Sequence, residues 1–228
     1  METTTQGGLS VTEQEVYIPL QPFHLEGVLA MPPEAKGVVL FAHGSGSSRF
    51  SPRNRAVADA LNQARLGTLL LDLLTPDEGQ VDERTRALRF DIDLLAGRLV
   101  VAIDWLRQER WTHEQPIGLF GASTGAAAAL VAASERNLEV RAVVSRGGRP
   151  DLAGMALRSV HAPTLFIVGS RDEVVLALNR QAMEQLPIAG KRLMIVPGAG
   201  HLFEERGALE IVSQLAAEWF DEYVRSAD

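Results

Sequence analysis

Short apolar runs without polar alternation recur along this chain, and they constrain its fold more than any other feature. A strand buried on both faces reads as such a run, whereas a strand with one face in water alternates apolar and polar residues. Segments with apolar residues at helical spacing separate the runs. The pattern predicts an α/β fold with a mostly parallel central sheet and helices on both faces. The six runs are residues 38–42, 68–71, 117–120, 140–144, 164–168 and 193–196.

Two further strands are predicted before these runs, at residues 15–20 and 24–30, which gives a sheet of about eight strands. Residues 1–12 are predicted to be a flexible tail. No linker rich in Pro, Gly or Ser divides the chain, so residues 1–228 are expected to form one domain. In the last helical segment the apolar spacing falls on Ile211, Leu215, Trp219 and Tyr223.

Charge and residue types argue against several kinds of function. The chain has 29 acidic and 22 basic side chains, a net charge of −7, which disfavours nucleic acid or an anionic membrane as a partner. It has no cysteine, so a thiolate nucleophile or a cysteine-bound metal is excluded. The histidines lack metal-binding spacing and no phosphate-binding loop is present, so neither a metal nor a cofactor is expected. Without a visible signal peptide or membrane span, a cytoplasmic protein is expected.

The strongest local motif is GASTG at residues 121–125, between the run 117–120 and an alanine-rich segment predicted to be helical. This is the G-x-S-x-G pattern of a nucleophile elbow, a tight strand-to-helix turn that presents a serine hydroxyl. Glycines stand two positions before and after the serine because side chains there would collide on such a turn. Ser123 is therefore the candidate nucleophile.

A serine nucleophile needs a general base and an acid that orients the base. Asp172 and His201 each come directly after a predicted strand in the C-terminal half. The order Ser, Asp, His is that of α/β-hydrolases, and the carboxyl ends of parallel strands meet at one sheet edge. The predicted triad is thus Ser123, Asp172 and His201, with Glu173 as the close competitor for the acid and Asp151 as a distant one.

The loop after the first apolar run reads HGSG at residues 43–46 and resembles the H-G-x-G loop of esterases. Its glycines allow a backbone N–H to point at a substrate oxygen, and the helix after the elbow supplies a second N–H. The backbone N–H groups of Ser45 and Thr124 are the predicted oxyanion hole, and His43 is predicted to be structural. A dinucleotide-binding reading of this loop fails because Arg49 stands where a third glycine is required.

These motifs resemble the α/β-hydrolase superfamily, and most of all the carboxylesterases related to dienelactone hydrolase. The resemblance runs from about Val16 to Tyr223 and rests on the loop from residue 43 to Arg49, LDLL at 71–74, the elbow, GSRD at 169–172 and GH at 200–201. It implies hydrolysis of carboxylic esters or lactones through an acyl-enzyme. Dienelactone hydrolases proper use cysteine in the elbow, so serine at this position favours a serine esterase.

The resemblance also implies that lactone-cleaving members hold a substrate carboxylate with arginines, and Arg49 and Arg146 are the candidates here. Residues 146–163 are too few for a cap domain, so we expect an open site for a small or short-acyl ester or lactone. Two alternatives stay open. One is a non-catalytic ligand-binding protein of the same fold, and the other is an acyltransferase or peptidase with the same triad.

Overall fold

A twisted central sheet organises the protein, which is described here by a computed structural model over residues 2–6 and 9–225. The strands are β1 (Glu2–Gln6), β2 (Leu9–Leu20), β3 (Phe23–Met31), β4 (Val38–Ala42), β5 (Gly67–Leu71), β6 (Ile117–Ala122), β7 (Val140–Arg146), β8 (Thr164–Gly169) and β9 (Lys191–Val196). Over the described residues they form one nine-stranded sheet in the order β1-β2-β3-β5-β4-β6-β7-β8-β9.

The six apolar runs form the six parallel strands β4 to β9. Every residue of β4, β5, β6 and β8 is buried, because helices cover both faces of the sheet. This double burial explains why these strands lack polar alternation. Strand β9 lies at the sheet edge and is only partly buried.

The N-terminal residues correct one prediction. Residues 2–6 and 9–12, expected to be part of a flexible tail, form β1 and the beginning of β2, which pair antiparallel with each other. Strand β2 continues to Leu20 and pairs antiparallel with β3. The polar, threonine-rich sequence gave no apolar signal, yet threonine favours extended backbone and edge strands tolerate polar residues. Residues 1, 7 and 8 of the predicted tail lie outside the described residues.

Helices pack on both faces of the sheet and divide the core in two. On one face α3 and α4 cover a core that includes Leu40, Leu119 and Phe166, and on the other α1 and α6 cover Phe41, Phe120 and Ile167. The helices are α1 (Pro52–Gln63), α2 (Pro76–Thr85), α3 (Ile92–Leu106), α4 (Thr124–Glu135), α5 (Glu173–Gln185) and α6 (Ala208–Tyr223).

The connection between β7 and β8 carries no cap domain, in agreement with the prediction. Its regular structure is a 3₁₀ segment, Pro150–Ser159, kinked at Gly154, whose φ is 53°. The edge of the sheet above β6 and β7 is therefore open. None of the helices in the described part of the chain is long and apolar enough to span a membrane.

Helix α6 buries a stripe that is rotated from the one read in the sequence. Trp219 is buried as its spacing indicates, but Ile211 is 42% exposed, whereas Val212 and Phe220 are fully buried. The position of Gly118 on β6 explains the rotation. A Cβ atom at Gly118 would lie 2.7 Å from Cε1 of Phe220, so this ring packs directly on the strand backbone.

We predict that Phe220→Ala lowers the free energy of unfolding by about 3–5 kcal/mol, because it leaves a cavity against Gly118. Ile211→Ala, on the same helix but exposed, should lower it by less than about 1 kcal/mol. Urea denaturation monitored by circular dichroism measures both values. Equal losses in the two variants would contradict this orientation of α6.

Candidate active site

Ser123 occupies a strained turn between β6 and α4. Its φ of 51° and ψ of −121° place an L-residue in a region that favours glycine. The backbone around β7 holds the turn, because the Ser123 N–H donates to the carbonyl oxygen of Arg146 at 3.2 Å. In return the Arg149 N–H donates to the Ser123 carbonyl oxygen at 3.0 Å. This is the geometry that the G-x-S-x-G motif predicts.

The two glycines of the motif are required by close backbone packing. A Cβ atom at Gly121 would lie 2.4 Å from Cα of Ala126 in the first turn of α4. A Cβ atom at Gly125 would lie 2.3 Å from the carbonyl oxygen of Ala42 and 2.5 Å from that of His43. Helix α4 therefore sits directly against the end of β4, which fixes the position of Ser123 at the carboxyl edge of the sheet.

Asp172 and His201 are joined by a short hydrogen bond. Nδ1 of His201 lies 2.6 Å from Oδ2 of Asp172. Asp172 occupies the N-cap position of α5, yet its carboxylate makes no capping hydrogen bond and faces the imidazole instead. Because Nδ1–H donates to Asp172, the lone pair of Nε2 is left for a proton from a nucleophile.

The two competing carboxylates do not contact His201. Asp151 pairs with Arg149, with 2.7 Å between Nη2 and Oδ2. Glu173 is exposed at the start of α5. Of the three carboxylates considered from the sequence, the structure brings only Asp172 to the imidazole.

The turn after β7 contacts both the elbow and the loop that carries His201. A Cβ atom at Gly147, the residue after β7, would lie 3.1 Å from the carbonyl oxygen of His201 and 3.5 Å from its Nδ1. The preceding residue, Arg146, accepts the Ser123 N–H. Ser123 and His201 thus pack on the same short stretch of backbone, and the structure assembles the predicted triad residues at one sheet edge.

The HGSG loop lies directly against the nucleophile. A Cβ atom at Gly44 would lie 3.1 Å from Cβ of Ser123. Over the described residues, the backbone N–H groups of Ser45 and Thr124 donate to no protein acceptor. Both residues line a pocket of about 460 Å³, whose lining does not include Ser123, Asp172 or His201. Free donors beside the nucleophile meet the requirement of an oxyanion hole, which stays a prediction for these two groups.

His43 is structural, as predicted, and uses both of its ring nitrogens. Its Nδ1–H donates to the Gly44 carbonyl oxygen at 2.9 Å, and its Nε2 accepts the Leu73 N–H at 3.1 Å. This arrangement requires a neutral imidazole. Burial lowers the pKa of His43 and keeps the ring in that form. The histidine therefore ties the HGSG loop to the end of β5.

Arg49 is also a structural tie. Its guanidinium contacts the carboxylate of Asp72 and lies 2.7 Å from Oε2 of Glu26, and its backbone N–H donates to Asp72 Oδ1 at 2.6 Å. The carboxylates of Asp72 and Glu26 already compensate the single positive charge of Arg49. Although Arg49 lines the pocket, its predicted role in binding an anionic substrate has no support in this geometry.

Arg146 does not line the pocket. Its guanidinium carbon lies 6.0 Å from the centre of the Phe120 ring, in the core under α1 and α6. The pocket reaches Leu95, which belongs to the core on the other face of the sheet. Arg146 is only 8% exposed, so the structure corrects the expectation that its guanidinium stands at a pocket mouth.

Helix α2 forms a wall of the pocket that the sequence analysis missed. Asp82, only 3% exposed, accepts hydrogen bonds from the backbone N–H of Arg89 at 3.0 Å and from its Nε at 2.6 Å. The available signal was the T-x-x-E capping box at Thr75 and Glu78, which marks the start of a helix. In the structure each of these two residues bonds the backbone N–H of the other.

The sheet order, the elbow and the Asp–His pair define a protein of the α/β-hydrolase fold. The model of the dienelactone hydrolase family matches residues 25–227, and the chain belongs to this family. It is similar to a solved dienelactone hydrolase from Anabaena variabilis, with 59% identity and a TM-score of 0.92, over 94% of this chain and 99% of that one.

Two other proteins resemble this chain, one in its fold and one in its sequence. Est1E from Butyrivibrio proteoclasticus shares the fold, with a TM-score of 0.76 over 91% of this chain and 98% of that one, at 17% identity. A Mycobacterium tuberculosis H37Rv protein named "Putative phosphoribosyl transferase" is 55% identical over 213 residues, which are 93% of this chain and 47% of the relative. The chain thus spans about half the length of this curated relative.

We predict that Gly125→Ala lowers the free energy of unfolding by about 1–3 kcal/mol, because its methyl group would overlap two carbonyl oxygens. Gly97→Ala is the matched control, since Gly97 lies in α3 with no atom within 4 Å of the added Cβ. It should raise stability by about 0.5–1 kcal/mol through helix propensity. Chemical denaturation of both variants distinguishes them, and a neutral Gly125→Ala would contradict the packing of the elbow.

A second prediction concerns pH. The folded-state pKa of His43 lies below its ordinary value of 6.5, so the unfolded chain binds the proton more readily. The stability from neutral His43 is present above pH 6.5 and is lost as the pH falls below it, by at most about 1.4 kcal/mol per pH unit. His43→Gln keeps a donor and an acceptor but does not titrate. Urea denaturation between pH 7.5 and 5 should show a steeper loss in the wild type, and equal slopes would contradict this assignment.

Proposed function

We propose that this chain is a serine hydrolase that cleaves small carboxylic esters or lactones through an acyl-enzyme. The observation that carries the proposal is the 2.6 Å hydrogen bond between His201 and Asp172 at the edge where Ser123 stands on its strained turn. Membership of the dienelactone hydrolase family supports the same reaction class.

The proposed reaction has two halves, acylation of Ser123 and hydrolysis of the acyl-enzyme. The Oγ of Ser123 attacks the carbonyl carbon while its proton moves to Nε2 of His201, and the N–H groups of Ser45 and Thr124 stabilise the resulting oxyanion. His201 then protonates the leaving alcohol oxygen. Water attacks the carbonyl carbon of the acyl-enzyme and gives a proton to His201. His201 returns this proton to the Oγ of Ser123 as the bond between that oxygen and the acyl carbon breaks and the carboxylic acid leaves. Asp172 stays ionised and stabilises the imidazolium.

The pocket supports a small, uncharged substrate. Its volume is about 460 Å³, and no cap domain stands between β7 and β8 to enclose a long chain. Its carboxylates outnumber its guanidinium groups, and both of the latter are held in ion pairs. An anionic substrate would meet net negative charge there. The charged lining consists of Glu26, Asp72, Asp82 and Glu83 with Arg49 and Arg89.

Phosphoribosyl transfer is the activity in the name of a relative about twice as long as this chain. The pocket described above does not favour it, because its lining is net negative and its two guanidinium groups already pair with carboxylates. A phosphate-bearing substrate requires unpaired cationic groups to compensate its negative charge. We therefore assign ester or lactone hydrolysis to this pocket.

The test is hydrolysis of a short-chain aryl ester by purified protein. Ser123→Ala should lower kcat/KM by at least about 10³-fold, and Asp172→Asn by about 10⁴-fold because the wrong imidazole tautomer is favoured. Glu173→Gln, which alters the neighbouring exposed carboxylate, should leave the rate unchanged. Near wild-type turnover by Ser123→Ala would contradict the assignment of Ser123 as the nucleophile.

A fluorophosphonate probe separates the alternatives. Labelling of Ser123 together with ester turnover supports a hydrolase. Labelling without ester hydrolysis, but with acyl transfer to an added amine or cleavage of an amide, indicates a transferase or peptidase. Failure to label in a folded protein indicates a non-catalytic ligand-binding protein.

A further inference from the structure

Arg146 is a buried cation without a partner. The residue is 8% exposed, and Nη1 of its guanidinium has neither solvent contact nor a hydrogen bond. Over the described residues, no carboxylate forms an ion pair with it and no oxygen accepts a hydrogen bond from its guanidinium. Its guanidinium carbon lies 6.0 Å from the centre of the Phe120 ring. Buried arginines are almost always paired, so this one requires an explanation.

Arg53, in the first turn of α1, is a second cation in the same region. Arg53 has a buried Nε without a partner, while its Nη1 donates to Glu204 Oε1 at 3.0 Å. The positive charge of Arg53 acts on Arg146: burial and then this charge lower the pKa of Arg146 to about 10.

Contacts around the histidine loop connect Arg53 to the end of β7. Glu204, which holds Arg53, follows Phe203, whose Cε2 would lie 3.4 Å from a Cβ atom at Gly147. Gly147 is the neighbour of Arg146 in the chain. Glu204 is 67% exposed and already paired with Arg53, so the charge of Arg146 stays uncompensated.

Leaving a charge buried and unpaired is strongly unfavourable, and a bound counter-ion removes most of that cost. Two guanidinium groups close enough for their charges to interact can form a receptor for a tetrahedral oxyanion. Arginine in particular offers paired N–H donors that match phosphate oxygens.

We propose that Arg146 and Arg53 form a binding site for a phosphate group, on the opposite face of the sheet from the pocket that Ser45 and Thr124 line. The site is independent of the proposed hydrolysis, since no triad or oxyanion group takes part in it. The phosphate is either the free ion or a phosphate monoester.

The test is the unfolding temperature of the full chain during titration with inorganic phosphate, with sodium chloride added to hold ionic strength constant. For the wild type we expect a saturable rise in Tm of about 3 to 6 °C at a concentration about ten times the Kd. Arg146→Met should abolish the rise. Without phosphate, Arg146→Met should be no less stable than the wild type, because an apolar side chain replaces an unpaired buried charge.

Further variants keep the result interpretable. Arg53→Met should weaken the phosphate response, and it provides the measurement should Arg146→Met fail to fold. Arg180→Met, an exposed arginine on α5, should respond like the wild type. Glycerol phosphate in place of inorganic phosphate distinguishes an esterified ligand from the free ion. An equal rise in Tm in the wild type and Arg146→Met, equal stabilisation by acetate, or no rise in the wild type would overturn the proposal.

Discussion

The close packing of α4 against β4 and β6 is the constraint on which the rest of the site depends. Gly121 and Gly125 permit this approach, and a row of buried alanines lets the helix lie flat on the sheet. The approach forces Ser123 into its unfavourable backbone conformation. Such strain persists only when the surroundings overdetermine it, and here hydrogen bonds to both sides of the turn after β7 do so.

The parallel sheet brings the remaining groups of the site together, because the carboxyl ends of its strands lie at one edge. Loops after β4, β6, β8 and β9 all emerge at the same edge, so the HGSG loop, Ser123, Asp172 and His201 meet there. Neutral His43 ties the HGSG loop to the end of β5, and charged Arg49 ties the residues after it to Glu26 of β3 and to Asp72. Among the described residues, the Ser45 N–H donates to no protein acceptor.

Local patterns predicted the parts of the structure that local physics determines. Doubly buried strands need apolar residues at every position, and the elbow needs glycines at fixed offsets, so both could be read from the chain. The antiparallel β1 could not, because a polar edge strand has no apolar signature. The orientation of α6 depends on the contact of Phe220 with Gly118, two residues separated by nearly half of the chain.

The ion-pair partners of the arginines could not be predicted from the neighbouring sequence either. Arg49 and Arg146 each follow or end a strand at the same edge, yet one meets two carboxylates and the other meets none. Long side chains choose partners that the tertiary fold brings near, and neighbouring sequence does not encode that choice. The grouping of Ser123, Asp172 and His201 at one sheet edge could be predicted because three separate strand ends carry these residues in the order Ser, Asp, His. Their roles as a triad stay a prediction.

The most direct measurement of the central claim is rapid-quench mass spectrometry of the intact protein during turnover of a short-chain aryl ester. The account predicts an intermediate heavier by one acyl group, which maps to the peptide containing Ser123 and forms faster than the steady-state rate. Turnover without such an adduct, or an adduct on another residue, would contradict it.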